Sequence, residues 1–489
     1  MSGTDAADDA FPVGEAFWLA AAGGTGRGSR HGSRHHQLAG ALRQAVRDRR
    51  LPPGSPLPPS RQLAADLGCS RWVVTEAYGQ LIAEGYLEAR TGSATRVRAL
   101  AAVEDRAAAP PPPRDPPAIR IDLTPGQPDV RSFPRRAWGS AVHRVLAEAA
   151  DADLGRRPRE GHPRLRAVLA DYLSRVRGAA ATGQDLLVCR GIADGVTQIC
   201  AALHRQGIGA LGVEEPCWAQ VRQAAVAAGM ECVAIPVDEH GIRVDTLAHA
   251  SAGSDPSGRL RAVAVTPAHQ FPSGVVLAPE RRAALLGWAE AVDGLILEDD
   301  YDAEFRYDRQ PVGVLQGIAP TRVALLGSVS KTLSPGLGIG WAAVPRSWLP
   351  DVLAGRSPTA APPVLDQLAM AALVESGGYE RHLRALRRRY RTRRALLIDA
   401  LRTALPEAEV TGAEAGLHLV VRLPGGSAPD WSTRLVRTSA DLGLLVSPLD
   451  FFHSAGPAGR AVVLGYGSLP DHAVGQAVTL LREAVRAIS

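Results

Sequence analysis

The residue best suited to covalent chemistry in this 489-residue chain is its single lysine. Of the 55 basic residues, Lys331 is the one lysine and all the others are arginines. Arginine keeps its proton in proteins, whereas a lysine amine can lose it and form an imine with a carbonyl compound. A chain that uses arginine elsewhere and keeps one amine therefore indicates imine chemistry at Lys331.

Polar and reactive residues follow two apolar runs that are predicted to be strands. Residues 294–298 lead into Asp299 and Tyr301, and residues 323–327 lead into Ser328, Ser330 and Lys331. A pyridoxal cofactor requires a lysine imine at its aldehyde, a carboxylate beside its pyridine nitrogen and a phenol at its ring oxygen. The two strand ends supply all three groups.

The elements that must position these groups lie between Ala118 and Ser489, where short apolar runs alternate with helical segments rich in Ala, Leu and Arg. Such alternation predicts an α/β domain with a mainly parallel sheet covered by helices. In these sheets the functional residues lie at the carboxyl ends of the strands. We therefore expect Asp299, Tyr301, Ser328 and Lys331 to meet at one edge.

Three segments of this region, EDDYDAEFRY, TPAHQFPSGVVL and GSVSKTLSPGLGIGW, resemble the fold-type I aminotransferase-like domain of MocR-type regulators. The resemblance implies pyridoxal 5'-phosphate as cofactor and a homodimer. It also implies a role for each of eight residues. Lys331 would form the imine, Asp299 would pair with the pyridinium and Tyr301 would bond the ring oxygen. Ser328, Ser330 and the backbone at Gly191 would hold the phosphate, and Trp218 and His269 would lie in the pocket. For Trp218 a core role, and for His269 a structural hydrogen-bonding role, remain alternatives.

Four positions depart from the family pattern. Gly338 stands where an arginine usually contacts the phosphate, and Asp194 adds a carboxylate to the phosphate turn. Val463 replaces the arginine that would clamp a substrate carboxylate, and Arg156 takes the place of a tyrosine supplied by the partner subunit. Losing a charge-assisted hydrogen bond typically costs about 1.5 to 3 kcal/mol, so these changes predict weaker cofactor binding.

The N-terminal part of the chain has a different pattern. Residues 35–50 have apolar positions at helical spacing, and the following text predicts a short helix from Ser60 to Leu67 and a second helix that Ser70 caps. Residues 86–98 alternate about Gly92 as a hairpin does. This order of helices and hairpin predicts a winged helix-turn-helix domain of the α+β class. The segment PSRQLAADLGCSRWVVTEAYGQLIAEGYL closely resembles the GntR-type winged helix.

This resemblance implies binding to double-stranded operator DNA. Arg71, at the start of the second helix, is the best candidate for a base or phosphate contact. The supporting contacts that the resemblance implies are Ser60, Arg61, Ser70, Thr75 and Arg96. Val73 stands where the family usually has threonine, which predicts one phosphate contact fewer, and Ile82 is expected in the core. Residues 34–98 carry ten arginines and five acidic residues, a net charge of +5 that equals that of the whole chain.

We therefore predict four regions: a disordered segment 1–33, a winged helix 34–98, a Pro-rich linker 99–117 and an aminotransferase-like domain 118–489. The chain has no apolar run of membrane-helix length, no recognisable secretory signal and five scattered cysteines. These features predict a cytoplasmic protein without disulfides or a metal site.

The combined pattern predicts a DNA-binding transcription regulator whose large domain binds pyridoxal phosphate through Lys331 and senses a small molecule. Two alternatives remain open: a regulator whose large domain has lost the cofactor, and a working aminotransferase with an extra domain. Because Val463 offers no guanidinium, we expect the effector to be an amine or pyridoxal phosphate itself.

Overall fold

The computed structural model divides the chain into two compact units, Met1–Asp115 and Pro116–Ser489. It describes residues 33–89, 94–98, 119–155, 158–252, 260–307, 312–357, 360–424, 430–454 and 459–488. The predicted disordered segment except residue 33, the wing tip at Gly92, the Pro-rich linker, and Arg156 and Arg157 lie outside these residues.

The described residues of the first unit, 33–89 and 94–98, form three helices and a small antiparallel hairpin. The helices are α1 (Arg34–Arg47), α2 (Ser60–Asp66) and α3 (Arg71–Ala83), and the strands are β1 (Leu87–Glu88) and β2 (Arg96–Val97). One apolar cluster, which includes Leu42, Leu63, Val74 and Leu81, packs the helices against the hairpin. This arrangement is the predicted winged helix.

Several local predictions for this unit need correction. Helix α1 ends at Arg47, before the predicted end at Arg50, and the backbone at Arg49 takes a left-handed φ of 56°. Pro59, not Ser60, occupies the N-cap position of α2. Ser70 does occupy the cap position of α3, but its side chain makes no capping hydrogen bond. The cap residue types therefore predicted where the helices start, but not the capping hydrogen bonds.

One side chain of α3 lies on a face other than that predicted. Ile82 is 38% exposed, because it follows Leu81 by one residue and is turned about 100° away from the core face. Val73 is buried beside Val74. Valine has no hydroxyl group, so one phosphate contact fewer at this position stays a prediction.

The part of the second unit that the structure describes contains an eight-stranded sheet, a four-stranded sheet and a two-stranded sheet. Its strands are β3 (Ile121–Asp122), β4 (Leu186–Cys189), β5 (Ala210–Glu215), β6 (Glu231–Asp238), β7 (Gly241–Ile242), β8 (Ala262–Val265), β9 (Leu295–Asp299), β10 (Val323–Ser328), β11 (Gly340–Ala343), β12 (Glu409–Thr411), β13 (His418–Arg422), β14 (Leu444–Leu445), β15 (Ser447–Pro448) and β16 (Ala461–Gly465).

The large sheet has the order β4-β11-β10-β9-β8-β5-β6-β7, in which β11 and β7 run against the other strands. Five of its strands, β4, β5, β8, β9 and β10, are short, apolar and mostly buried, as parallel strands covered by helices must be. The mainly parallel sheet is thus confirmed. The four-stranded sheet, of order β12-β13-β16-β15, is antiparallel.

The helices of the second unit are α4 (Arg135–Glu148), α5 (Asp151–Gly155), α6 (Pro163–Arg177), α7 (Ile192–Arg205), α8 (Ala219–Ala227), α9 (Val244–Ser251), α10 (Pro279–Ala291), α11 (Leu349–Ala354), α12 (Val364–Glu375), α13 (Gly378–Ala404), α14 (Trp431–Asp441) and α15 (Val474–Ile488). They cover separate apolar clusters on the sheet faces. None of the helices in the described ranges has both the length and the apolar composition needed to cross a bilayer.

Candidate functional site

A cavity of about 270 Å³ opens at the carboxyl ends of the parallel strands. The register of β9 and β10 pairs Asp299 with Leu326, so the two strands end at the same edge. Seven of the eight residues predicted for the cofactor line this cavity: Gly191, Trp218, Asp299, Tyr301, Ser328, Ser330 and Lys331. The eighth, His269, is not in the cavity wall.

Lys331 reaches into the cavity from the turn that follows β10. Its Nζ donates a hydrogen bond of 2.7 Å to the carbonyl oxygen of Gly126. Gly126 has a φ of +88°, and a Cβ there would lie 2.8 Å from that Nζ. Burial lowers the pKa of Lys331 below its usual value, against the opposing effect of Asp302 and Asp299. The amine is therefore less firmly protonated than a surface lysine, as imine formation requires.

Asp299 is the last residue of β9 and is almost fully buried. Burial raises its pKa well above the usual value, and the neighbouring Asp300 and Asp302 add to the increase. Its Oδ1 is buried and has no hydrogen-bond partner among the residues that the structure describes. A pyridinium N–H is a donor of the kind that this carboxylate lacks, so the site fits a pyridoxal ring.

Tyr301 contacts the cavity on one side and a buried polar cluster on the other. Its Oη lies 3.0 Å from Nδ1 of His269, and that nitrogen lies 3.1 Å from Oδ2 of Asp302. His418 lies behind this pair and its Nε2 donates to the carbonyl oxygen of Pro272 at 3.0 Å. His269 is thus connected to the cavity through Tyr301.

The predicted phosphate end of the cavity is formed by the start of α7. Gly191 is its N-cap residue, and the first backbone N–H groups of a helix attract anions. Asp194 already uses its carboxylate, which accepts from the backbone N–H of Arg190 at 2.9 Å and from Gln198 Nε2 at 2.7 Å. Its negative charge nevertheless lies at the end where an anion would bind.

The two positions that lack the family's arginines, Gly338 and Val463, have surroundings that suit the residues present. Gly338 adopts a left-handed φ of +56°, which a non-glycine residue takes only at a cost of about 1 kcal/mol or more. Val463 is fully buried in an apolar cluster with Leu449 and Ala461, and Phe452 packs against that cluster. In the described cavity wall, Arg190 is the single guanidinium.

Three residues of the site were missed by the sequence reasoning. Glu214, near the end of β5, lines the cavity, and burial raises its pKa to about 7. Thr266 Oγ1 donates to it at 2.5 Å. The rule that polar residues gather at strand ends would have found Glu214. Asp302 lies beside Tyr301 in the segment EDDYDAEFRY and could have been found in the same way. No local pattern indicated His418, which follows Asp302 by more than a hundred residues.

The predicted DNA contacts lie on the surface of the winged helix. Ser60 is half-buried, and the other five, Arg61, Ser70, Arg71, Thr75 and Arg96, are exposed. Arg71 Nε lies 3.4 Å from Ser60 Oγ, which connects the starts of α2 and α3. Arg96 Nη1 donates to Gly54 O at 2.9 Å.

Trp72 is a surface residue that the sequence reasoning did not select. It follows Arg71 at the start of α3 and is 61% exposed. The ring of His35 approaches it edge-on at a centroid distance of 5.3 Å. Trp72 therefore adds an exposed indole to the surface on which Arg71 lies.

Comparisons with known proteins agree with both units. Residues 119–463 match the family described as "Aminotransferase class I and II", and residues 35–97 match "Bacterial regulatory proteins, gntR family". The chain is 33% identical to the HTH-type pyridoxine biosynthesis transcriptional regulator PdxR of Corynebacterium glutamicum, over 92% of this chain and 95% of that protein. It is 32% identical to the probable rhizopine catabolism regulatory protein MocR of Rhizobium meliloti, over 93% of this chain and 94% of that protein.

Among solved structures, an archaeal alanine:glyoxylate aminotransferase matches 75% of this chain and 91% of its own, with a TM-score of 0.67 and 25% identity. The large unit therefore has the fold of the pyridoxal-phosphate-dependent aminotransferases. The relatives named above are transcription regulators and match nearly the whole chain, including the winged helix. The chain belongs to the aminotransferase class I and II family and, by its N-terminal gntR-family winged helix, to the MocR-type transcription regulators.

Proposed function

We propose that this regulator binds pyridoxal 5'-phosphate in the cavity of its large domain and that the same molecule is its effector. One observation carries the proposal: Lys331, Asp299 and Tyr301 line one cavity, where a buried Asp299 oxygen has no hydrogen-bond partner among the described residues. Lys331 would hold the aldehyde, Asp299 the ring nitrogen and Tyr301 the ring oxygen. The bound group would supply an aldehyde for covalent attachment to Lys331 and would change the charge in the cavity. The side chains of the cavity would supply its recognition.

The phosphate end of the site favours reversible binding over permanent retention. The start of α7 offers N–H groups, and Ser328 and Ser330 lie in the same cavity wall. Asp194 places a carboxylate there, and Gly338 offers no side chain. Like charges repel and a missing charge-assisted bond costs about 1.5 to 3 kcal/mol, so the affinity for the phosphate group is moderated. A sensor needs an affinity near the concentration that it measures.

The side of the site near β16 argues against an amino acid effector. Amino acids are commonly recognised by a bidentate guanidinium on the carboxylate. Val463 occupies the corresponding position and is packed among apolar side chains. The relative named as a pyridoxine biosynthesis regulator supports pyridoxal phosphate as the ligand.

The remaining parts of the proposal concern the assembly. The winged helix would bind operator DNA through Arg71 and its neighbours, and a homodimer with two winged helices would read a two-fold site. The chain would act in the cytoplasm, where its operator DNA lies. The free cysteines of the described residues are compatible with the reducing conditions there.

A titration of pyridoxal phosphate into the full-length apo-protein tests the proposal. The DNA probe is a duplex that the protein itself selects from a random library, and binding is followed by fluorescence anisotropy. We expect yellow imine absorbance on addition of the cofactor and a several-fold change in DNA affinity over the same concentration range. Lys331→Ala should remove both the absorbance and the response.

Arg205→Ala is a matched control, because this exposed side chain contacts Asp351 and lies outside the cavity wall. It should leave both signals unchanged. Absence of absorbance in the wild-type protein at excess cofactor would show that the large domain does not bind it. A DNA response to common amino acids but not to pyridoxal phosphate would refute the assignment of the effector.

A further inference from the structure

Three polar side chains form a continuous buried chain behind the cavity. Asp302 and His269 are 1% and 3% exposed, and Oδ2 of Asp302 lies 3.1 Å from Nδ1 of His269. The same Nδ1 lies 3.0 Å from Oη of Tyr301. Tyr301 is the one member of the three that lines the cavity. Among the described residues, Asp302 and His269 are therefore hydrogen-bonded to the cavity through the phenol, while the charge of Asp302 also acts on Lys331.

The position of the proton in this cluster follows from its acceptors. An ionised carboxylate can only accept hydrogen bonds, so Asp302 favours the His269 tautomer with hydrogen on Nδ1. That N–H is shared with the Tyr301 oxygen, which then acts as an acceptor towards His269. The Tyr301 hydroxyl also has a hydrogen bond with Asp302, so its proton turns into the cavity when a bound ring oxygen offers a stronger acceptor there.

The surroundings hold the His269 ring in this orientation. A Cβ on Gly416, which has a φ of +71°, would overlap the ring, and one on Gly274 would lie 3.5 Å from Nε2. His418 lies at a ring-centroid distance of 5.0 Å, and burial, with His269 as a smaller cause, lowers its pKa to about 3. Since His418 is neutral and donates to Pro272, it does not compete for Nδ1 of His269.

We propose that His269 and Asp302 are positioning residues, which direct the Tyr301 hydroxyl proton to the ring oxygen of bound pyridoxal phosphate. The inference rests on the proposed function, because it concerns the same site. His269 would donate to the phenol oxygen and so strengthen the phenol as a donor, since hydrogen bonds in a chain polarise one another.

A stronger donor at the ring oxygen has a measurable consequence. It withdraws electron density from that oxygen, and the proton shared by the oxygen and the imine nitrogen is then held less tightly. The pKa of the Lys331 imine is thereby lowered. The titratable groups around this part of the cavity are Asp299, Asp302, Glu214, Lys331 and His418, and the experiment must separate their charges from the effect of the phenol.

The test is a double-mutant cycle on full-length protein loaded with pyridoxal phosphate. The readout is the pKa of the imine, taken from its absorbance as a function of pH. His269→Leu should raise this pKa by about 0.5 to 1 unit, the equivalent of one ordinary hydrogen bond. His269→Asn places an amide N–H at the Nδ1 position and should restore a value within about 0.3 unit of the wild type.

The same two substitutions are then made in a Tyr301→Phe background. If His269 acts through the phenol, the Leu and Asn variants have the same imine pKa there. An equal difference between them with and without the phenol would overturn the inference. If His269→Leu does not fold, His269→Gln replaces it, since its amide reaches the Nε2 position and not Nδ1. Absence of imine absorbance in the wild type would overturn the proposed function and this inference together, whereas the cycle can fail alone.

Discussion

Replacing Val463 with arginine would install the guanidinium that the aminotransferase pattern has and this chain lacks. Val463 lies in the middle of β16, is fully buried and pairs with Val420 across the sheet. Its neighbours are the apolar side chains of Leu449, Ala461 and Phe452. We expect Val463→Arg to destabilise the large domain, and no carboxylate site to form.

The magnitude follows from two costs. Forcing a longer side chain into a packed core costs about 1 to 3 kcal/mol. An unpaired buried guanidinium adds several kcal/mol. The sum exceeds about 4 kcal/mol, a large fraction of the 5 to 15 kcal/mol by which domains are typically stable. Val463→Leu, which adds a methylene without a charge, should cost less than about 3 kcal/mol.

Urea unfolding of the full-length protein, followed by tryptophan fluorescence, measures these differences. The arginine variant should unfold at a much lower urea concentration than the leucine variant. If its free energy of unfolding lies within about 1 kcal/mol of the wild type, the side chain must reach water or an anion. A gain of amino acid response in that variant would then refute the conclusion that position 463 excludes a carboxylate clamp.

Three further predictions follow from the structure. Arg71→Ala should weaken operator binding by roughly 1 to 3 kcal/mol if it reads a base, or reduce the log–log salt slope by about 0.9 if it contacts a phosphate; anisotropy at several salt concentrations that shows neither would refute its role. Gly126→Ala should impair cofactor absorbance far more than Gly338→Ala. Both glycines have a positive φ, but a Cβ at position 126 would lie 2.8 Å from Lys331 Nζ, whereas a Cβ at position 338 would meet nothing closer than 4.0 Å. Equal loss of absorbance in the two variants would show that contact with the lysine is irrelevant. Burial raises the pKa of Glu214 from 4.5 to about 7, so its proton stabilises the folded state at low pH and this contribution is lost as pH rises through that range. Glu214→Gln should therefore flatten the pH dependence of the free energy of unfolding by roughly 3 kcal/mol. Identical pH profiles of the variant and the wild type would contradict this prediction.

The sequence identified the fold and the cavity because both depend on patterns that are local. Each strand of the large sheet is a short apolar run, and the residue after such a run must lie at the sheet edge. Asp299 and Ser328 could be located in this way, although the structure makes each the last residue of its strand. The winged helix was equally accessible, since its helices and turns are marked by apolar spacing and glycines.

The direction in which a side chain points was harder to predict from the sequence than the element in which the residue lies. Ile82 differs from the expectation because the core face of α3 depends on how the helix is rotated against α1. The bidentate contact of Arg43 with Glu84 is one of the contacts between these two helices. A helical pattern with adjacent apolar residues at 73, 74, 81 and 82 is compatible with more than one rotation, and only packing selects between them.

The polar cluster behind Tyr301 shows the more general limit. Its members come from the loop after β8, the turn after β9 and the start of β13, which are remote from each other in sequence. A residue that touches the cavity can be inferred from a strand end, because the sheet brings all strand ends to one edge. A residue that acts only through another residue has no such rule, since its position depends on the packing of three separate segments. His269 was selected by resemblance, and its two polar partners, Asp302 and Tyr301, are what give it a role that can be tested by the imine pKa.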